Sequence, residues 1–289
     1  MPFNANGYVE AYMVNGQSMD TSQFAIETVQ ESLPVMRGDN VIPAMDHGVR
    51  WRSKRLGPRS ENWGLWICDA ETSSGLPPST EEGKRAQFHA NWDTVMEILF
   101  TTHLATGYDA PLQVVRKMKK DTSTPTNASY MVNYGEVLGS ISVDDYRPWA
   151  WARFNVNVGY MDPRWYECNS TGTKTDTAIN AGTTNVGGTA LMTKMTIRLT
   201  ADSGAVTGAY AENQTTGSKI GIGDLASGEY VDINTSTFVA TSSTNGDVTG
   251  KVDRTGSTTS DWFQLRPNVD NVLATNAGTL TVTYTKAFM

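Results

Sequence analysis

The sequence predicts a mainly β protein with two domains: an α+β domain with one helix, followed by a β-sandwich. Apolar and aromatic residues alternate with polar ones in many short segments, which is the period of a half-buried strand, whereas one segment shows a convincing helical period. The composition also changes along the chain, because seven of the eight Trp and ten of the eleven Pro precede residue 169. We therefore predict a boundary after Cys168, with domains of residues 1–168 and 169–289.

The clearest predicted strand lies in the segment from Asp144 to Cys168. From Phe154 onward, bulky residues alternate with Asn155, Asn157 and Gly159, as expected for a strand with one buried face. Pro148 can stand only at its start, because proline cannot donate to a sheet ladder. The sequence therefore predicts one long strand here, followed by a turn at residues 162–163.

The first region also contains further predicted strands and one helix. The strands are expected at residues 8–14, 62–68, 112–117 and 130–142, with Asn15-Gly16 as a tight hairpin turn. Ser79 and Glu82 fit a capping box at the start of the helix. The helix that follows carries one apolar stripe that should face the core: Phe88, Trp92, Val95, Met96 and Leu99.

The second region contains short strand patterns and no helical signal. Residues 169–188 are rich in Thr, Ser, Gly and Asn and are predicted to be a loop or linker. Residues 229–233 and 237–241 are predicted to form a hairpin, and residues 280–284 alternate as a strand. Several short strand patterns separated by turns indicate a β-sandwich. Whether residues 280–284 complete the sandwich or return to the first domain is left open by the sequence.

Composition and motifs exclude several classes of function. The formal net charge of −7 argues against ordinary DNA binding, and no apolar run approaches the length of a membrane span. Cys68 and Cys168 are too few for a disulfide framework, and the three His are scattered, so we expect reduced thiols and no metal site. No catalytic or phosphate-binding motif is present, and no cofactor is expected.

Residues 37–60 form a basic, turn-rich segment that we call the arm. The arm has too little apolar content for a core of its own, so it should be ordered by acidic groups on a neighbouring subunit. Nucleic acid is the alternative partner for cations interleaved with an aromatic residue. The candidate subunit-interface residues are Arg50, Trp51, Arg52, Lys54, Arg55 and Arg59.

The order of these pieces resembles the distal tail proteins of long-tailed (siphovirus-type) bacteriophages. The resemblance rests on VNG at 14–16, RGDNVIPAMDHGVRW at 37–51, the single helix, DPRWYE at 162–167, and the C-terminal stretch from GEYVDINTSTFVA to TVTYTKAFM. It covers nearly the whole chain. The long Thr/Ser-rich segments at 169–188 and 241–260 depart from the pattern, so the surface details of the second domain are not carried over.

The resemblance implies a structural virion protein without catalytic residues. In that family the first domain forms a sixfold ring, called the belt, and the second is a galectin-like sandwich on its outside. The ring would join the tail-tube protein to tail-tip and tail-associated proteins at the distal end of the tail, with the tape measure protein as a further candidate neighbour. DNA would pass through without specific binding, no membrane would be involved, and the protein would be made in the host cytoplasm.

The sequence leaves two alternative functions open. A tail-tube subunit with an added outer domain would stack into long tubes instead of closing one ring. A carbohydrate-binding module for host attachment would bind sugar by stacking on aromatic residues, but the second region has few of them and most alternate as if they faced inward.

Overall fold

The fold is described here from a computed structural model of the 289-residue chain. The structure describes residues 11–32, 36–37, 40–41, 50–51, 55–105, 111–119, 128–147, 150–257 and 262–288. Residues 1–173 and residues 174–289 form two compact units. The boundary predicted after Cys168 falls in the segment between the last strand of the first unit and the first strand of the second.

The first unit contains twelve described strands and one helix, α1 (Glu81–Ala105). The strands are β1 (Ala11–Val14), β2 (Gln17–Ser18), β3 (Phe24–Glu31), β4 (Met36–Arg37), β5 (Asn40–Val41), β6 (Arg50–Trp51), β7 (Arg55–Leu56), β8 (Arg59–Cys68), β9 (Leu112–Lys119), β10 (Ala128–Arg147), β11 (Trp151–Tyr160) and β12 (Trp165–Cys168). The α+β class predicted for this region is confirmed.

One antiparallel sheet organises the first unit, with the strand order β2-β1-β9-β10-β11-β8-β3 and β12 paired to β10. The tight turn predicted at Asn15-Gly16 joins β1 to β2, and both residues have positive φ, as this turn type requires. The alternation predicted for β11 is also present, because Phe154, Val156 and Val158 are buried and Asn157 is exposed. These buried residues form one face of the sheet core.

Helix α1 packs on the buried face of this sheet. Its N-cap is Thr80, whose hydroxyl accepts the N–H of Gly83 at 3.1 Å, so the predicted cap at Ser79 is wrong by one residue. Asn91 is buried and donates to the carbonyls of Cys68 and Ala70 at 2.7 and 2.9 Å. This amide therefore satisfies two carbonyl groups at the end of β8 and fixes the helix against that strand.

The predicted apolar stripe of α1 divides into two levels of burial. Phe88, Val95 and Leu99 are buried, whereas Trp92 and Met96 are half-buried. The Trp92 ring lies 5.2 Å from the ring of Phe154 on β11. The stripe thus faces the sheet, with Trp92 at its margin. No helix among the described residues is long and apolar enough to cross a membrane.

The second unit contains eleven described strands and a 3-10 turn at Thr249–Lys251. The strands are β13 (Asp176–Asn180), β14 (Gly182–Asn185), β15 (Met195–Thr200), β16 (Val206–Asn213), β17 (Ser218–Leu225), β18 (Tyr230–Asn234), β19 (Val239–Ser242), β20 (Gly246–Asp247), β21 (Asp270–Thr275), β22 (Thr279–Thr285) and β23 (Ala287–Phe288). The all-β class predicted for this region is confirmed.

Two antiparallel sheets make the second unit a β-sandwich. One has the order β13-β22-β15-β18-β19-β20, and the other has the order β14-β21-β16-β17. Alternate residues face inward, including Ile197 and Leu199 on β15, Ile220 on β17, and Leu280 and Val282 on β22. Strand β22 pairs with β13 and β15, so residues 280–284 belong to the sandwich.

The Thr-rich segment at 169–188 is more than the loop or linker that the sequence suggested. It contains β13, which pairs with β22, and β14, which pairs with β21. Threonine is β-branched and fits a pleated, half-exposed strand well. The residues that gave this segment the composition of a loop are therefore equally compatible with edge strands.

Candidate functional site

The described parts of the arm form a β-ribbon that continues the hairpin of β3 and β8. Glu31 pairs with Glu61 in that hairpin, and Met36 pairs with Leu56 in the β4–β7 ladder. Both pairs have the same register, since their residue numbers add to the same value. Further out, Val41 pairs with Arg50, which shifts this register by one residue. Because β3 is the edge strand of the sheet, the ribbon extends from that edge.

The structure separates the candidate interface residues into two groups. Arg52 and Lys54 lie outside the described residues, and for Arg50, Trp51 and Arg55 the described part is the backbone in β6 and β7. Arg59, in contrast, is 5% exposed and lies in β8. Its guanidinium is enclosed by its own unit, so Arg59 does not offer its charge to a neighbouring subunit.

Arg59 belongs to a charged cluster that we call the arm root: Glu31, Arg59, Glu61 and Arg116, of which Arg59 and Glu61 are buried. Arg59 Nη2 lies 3.0 Å from a Glu31 carboxylate oxygen and 3.5 Å from Glu61 Oε1. Glu31 also pairs with Arg116 on β9. The cluster therefore links β3, β8 and β9 at the place where the arm leaves the sheet.

Glu61 is the most enclosed member of the arm root, with 0% exposure. Its Oε2 accepts hydrogen bonds from Trp63 Nε1 and from the Tyr160 hydroxyl, both at 2.9 Å. Burial raises the pKa of Glu61, while these two donors and the Arg59 charge act in the opposite direction. Burial and the neighbouring Glu61 charge raise the pKa of Tyr160 well above its ordinary value.

The arm root acts on the geometry of β3 and β8 where these strands enter the arm. A buried ion pair contributes little net stability, but removing one partner leaves a desolvated charge and is costly. The Arg59 guanidinium also lies 5.9 Å from the centre of the Trp165 ring, and Arg116 lies 5.8 Å from that of Tyr12. These contacts define the directions in which β3 and β8 enter the arm.

A polar groove of about 550 Å³ lies beside the arm root. The side chains that line it carry hydroxyl, amide or carboxylate groups: Gln30, Glu31, Ser32, Ser60, Asn62, Ser142, Asn155 and Asn157. Asn62, Asn155 and Asn157 alternate with the buried residues of β8 and β11, so they lie on the face of the sheet opposite the apolar core. A groove without cations among these lining residues has nothing that would hold a phosphate group by charge.

The two cysteines lack the environment of a reactive thiol. Cys68 and Cys168 are buried free thiols; burial raises the pKa of Cys68, and it raises that of Cys168 to about 11. They are therefore protonated and poor nucleophiles near neutral pH. Gly221 and Gly223, the segment of the sequence closest to a glycine-rich nucleotide-binding loop, lie within strand β17 rather than before a helix. Among the described residues, no group of three or more His, Cys, Asp or Glu could hold a metal ion.

A second unusual feature lies in the turn between β18 and β19 of the sandwich. Phe238 has a φ of +59°, a conformation that costs a bulky residue about 1–3 kcal/mol. Its side chain is 55% exposed, and its ring lies 5.0 Å from the Trp262 ring at an interplanar angle of 62°. We call Phe238 and Trp262 the aromatic corner.

The turn that carries Phe238 is firmly held. Asn234 Oδ1 accepts the N–H groups of Ser236 and Thr237 at 2.8 and 3.1 Å. The Thr235 hydroxyl donates to the carbonyl of Thr193 at 2.7 Å, and it accepts the N–H of Met195 at 2.8 Å. The unusual φ of Phe238 is therefore part of an ordered turn.

Sequence reasoning missed both features. The sequence predicts a strand that begins only at Asn62, so it does not show that Arg59 and Glu61 share the buried face of Trp63. Phe238 was assigned to a strand over 237–241, whereas β19 begins at Val239 and Phe238 closes the turn. The signal was available, because a four-residue hairpin loop commonly ends in a residue with positive φ.

These observations define a class: an α+β unit with a β-ribbon arm, followed by a β-sandwich, without an assembled catalytic group among the described residues. The SPP1 Dit protein, described as a paradigm of the hub adsorption apparatus in phages that infect Gram-positive bacteria, has this fold. The alignment covers 97% of this chain and 100% of that one, with a TM-score of 0.62 and 15% sequence identity. The resemblance inferred from the sequence is thus confirmed at the level of the fold.

Other comparisons are weaker. Two structures of the phage P2 baseplate in its activated conformation, one with Ca and one with Sr, align over 96% of this chain and 98% of theirs. Both are 10% identical in sequence and have TM-scores of 0.41 and 0.40, below the level that indicates a shared fold. No protein-family model and no curated protein matches this sequence.

Proposed function

We propose that this protein is a structural component of a phage tail, a hub at the distal end of the tail. Six copies would form a ring that joins the tail-tube protein to the tail-tip and tail-associated proteins, with the tape measure protein as a further neighbour. The observation that carries the proposal is the likeness to the SPP1 Dit hub protein, which spans both units of the chain in the same order. The role is non-enzymatic.

The surface of the first unit supports self-association. Strand β10 presents three large apolar side chains to solvent: Tyr134 at 38%, Leu138 at 39% and Val143 at 55% exposure. Exposed apolar side chains concentrated on one strand favour contact with another protein surface. A head-to-tail contact between identical subunits closes into a ring when the rotation per subunit fits.

The arm supports a contact that reaches beyond the subunit. The arm root fixes the base of the ribbon, and ten residues span up to about 33 Å where a chain is fully extended. Because Arg59 is enclosed at the base, the interface candidates become Arg50, Trp51, Arg52, Lys54 and Arg55. In an acidic chain the four cations of this set can pair with carboxylates of an adjacent subunit, which would determine orientation and partner choice.

The test combines native mass spectrometry with negative-stain imaging of the purified protein. Wild type should give a sixfold species, and the double variant Arg52→Glu/Arg55→Glu should stay monomeric while keeping its melting temperature. The matched control reverses the charge of two exposed cations of the sandwich, Lys251→Glu/Arg266→Glu, and should still form rings. A stable dimer in wild type, or rings in the arm variant, would contradict the assignment of the arm to the subunit interface.

Two further outcomes distinguish the alternatives. Long tubes of wild-type protein would favour a tail-tube subunit with an outer domain. Salt-dependent binding of duplex DNA that the arm variant loses would indicate that the arm faces the DNA. Antibody labelling of virions should mark the distal end of the tail, consistent with a protein that is made in the host cytoplasm and incorporated there.

A further inference from the structure

We propose that the aromatic corner is a binding site for a neutral carbohydrate. The inference does not depend on the hub function, because it concerns the surface of the sandwich alone. It starts from the conformation of Phe238, which combines a positive φ with 55% exposure of a large apolar side chain. Asn or Gly would adopt the same backbone conformation more readily and would expose no apolar surface.

The corner has the geometry of a stacking platform. The rings of Phe238 and Trp262 make an edge-to-face contact, with their centres 5.0 Å apart and their planes at 62°. The two ring faces are therefore not stacked on each other. The face of an aromatic ring carries partial negative charge and attracts the positively polarised edges of other groups. The C–H face of a sugar ring is such a group, and it is similar in size to one aromatic ring of the corner.

The turn that carries Phe238 is polar and has no charged residue. No ionisable residue occurs in the sequence between Asp232 and Asp247, and the exposed neighbours of Phe238 in the turn are Ser236 and Thr237. Hydroxyl and amide groups donate and accept hydrogen bonds without a preference for a charged ligand. This chemistry fits sugar hydroxyls, which both donate and accept hydrogen bonds.

The size of the corner favours a sugar over a protein partner. A stable protein interface buries roughly 800 Å² on each side, whereas an aromatic side chain offers about 150–250 Å² when fully covered. Phe238 is partly exposed, Trp262 is half-buried, and the adjacent Val239 is 40% exposed. Together they can cover one or two sugar rings. The held turn also means that little ordering is needed on binding.

The experiment probes the purified full-length chain on an array of neutral oligosaccharides built from hexoses and N-acetylhexosamines. Phe238→Asn removes the ring and keeps a residue that accepts positive φ, so the variant should remain folded. Val269→Asn is the matched control, since it removes another exposed apolar side chain of the same unit. We expect wild type and the control to bind the same glycans, and Phe238→Asn to lose at least tenfold in affinity by calorimetry with the strongest ligand.

Other results would overturn the assignment. These are binding that is absent in wild type, equal in Phe238→Asn, or restricted to anionic polymers such as phosphate-containing wall polymers. A variant that fails to fold would show that Phe238 is needed for packing on Trp262, and would also refute it. If Phe238→Asn binds glycans normally but is not incorporated into virions, the corner contacts a tail protein. Ring formation by Phe238→Asn is measured in parallel, so that failure of the glycan site and failure of the hub function are separate observations.

Discussion

The arm root and the aromatic corner both hold side chains in unfavourable positions, but they differ in what offsets the cost. Glu61 is a fully buried carboxyl group, yet it receives hydrogen bonds from Trp63 and Tyr160 and the charge of Arg59. Phe238 is strained and largely exposed, and the contact described for its ring is that with Trp262. A cost that is offset within the chain belongs to the fold, whereas one that is not indicates a partner.

The largest effect should come from disrupting the compensation at the arm root. Arg59→Met keeps most of the side-chain volume but leaves Glu61 buried without its cation. We expect the free energy of unfolding to fall by about 3–5 kcal/mol. Urea unfolding of the variant measures it.

The matched control is Arg153→Met, which breaks an ion pair with Glu27 on the same sheet. The Arg153 side chain is 53% exposed, so its loss should cost about 1 kcal/mol or less. Equal effects of the two substitutions would show that the arm root is not a buried structural cluster.

The helix stripe gives a reference for an ordinary apolar interior. Leu99 is 0% exposed, so Leu99→Ala should cost about 2–5 kcal/mol. Trp92 is half-buried, and Trp92→Ala should lie at or below the low end of the 3–5 kcal/mol typical of a buried Trp. Chemical unfolding measures both values, and a loss for Trp92→Ala well above about 3 kcal/mol would contradict the half-buried position of Trp92.

The main features of the fold were predictable because they rest on local rules. The alternation in β11, the Asn15-Gly16 turn and the stripe of α1 each depend on residues that are close in sequence. The strands at 169–188 were missed because Thr is common in both loops and strands, and only pairing with β21 and β22 decides between them.

The candidate sites were less predictable, since they depend on long-range contacts. The role of Arg59 follows from Glu31 and Glu61, which a ladder between two strands places beside it. Its sequence neighbours in the arm suggested an external partner instead. For Phe238, a shift of two residues in the start of β19 changed an inward strand residue into an exposed turn residue.

Tyr160, whose hydroxyl donates to Glu61 of the arm root, should make the fold sensitive to alkaline pH. The pKa values of Tyr160 and Tyr166 are raised in the folded state, mainly by burial. The folded chain therefore keeps protons that the unfolded chain loses, and stability is complete below the ordinary tyrosine pKa of about 10 and falls above it. Above that pH, each of the two tyrosines should lower the free energy of unfolding by about 1.4 kcal/mol per pH unit.

Tyr160→Phe tests this contribution and the bond to Glu61 together. Near neutral pH the variant should lose about 1–3 kcal/mol, because Glu61 loses one of its donors. Above pH 10 its stability should decline less steeply than that of wild type, by about 1.4 kcal/mol per pH unit. Chemical unfolding at pH 7 and at several values above 10 separates the two effects, and parallel pH profiles would mean that Tyr160 does not hold its proton in the fold.

The smallest effect has the opposite sign. Phe238→Asn replaces a bulky residue at positive φ with one that accepts this conformation, and it removes exposed apolar surface. If the strain of Phe238 is not offset within the chain, the variant should be as stable as wild type or more stable by up to about 1 kcal/mol. A loss of more than about 1 kcal/mol would mean that the contact with Trp262 compensates the strain after all. The corner would then resemble the arm root, and its unusual backbone would be explained by the fold without a ligand.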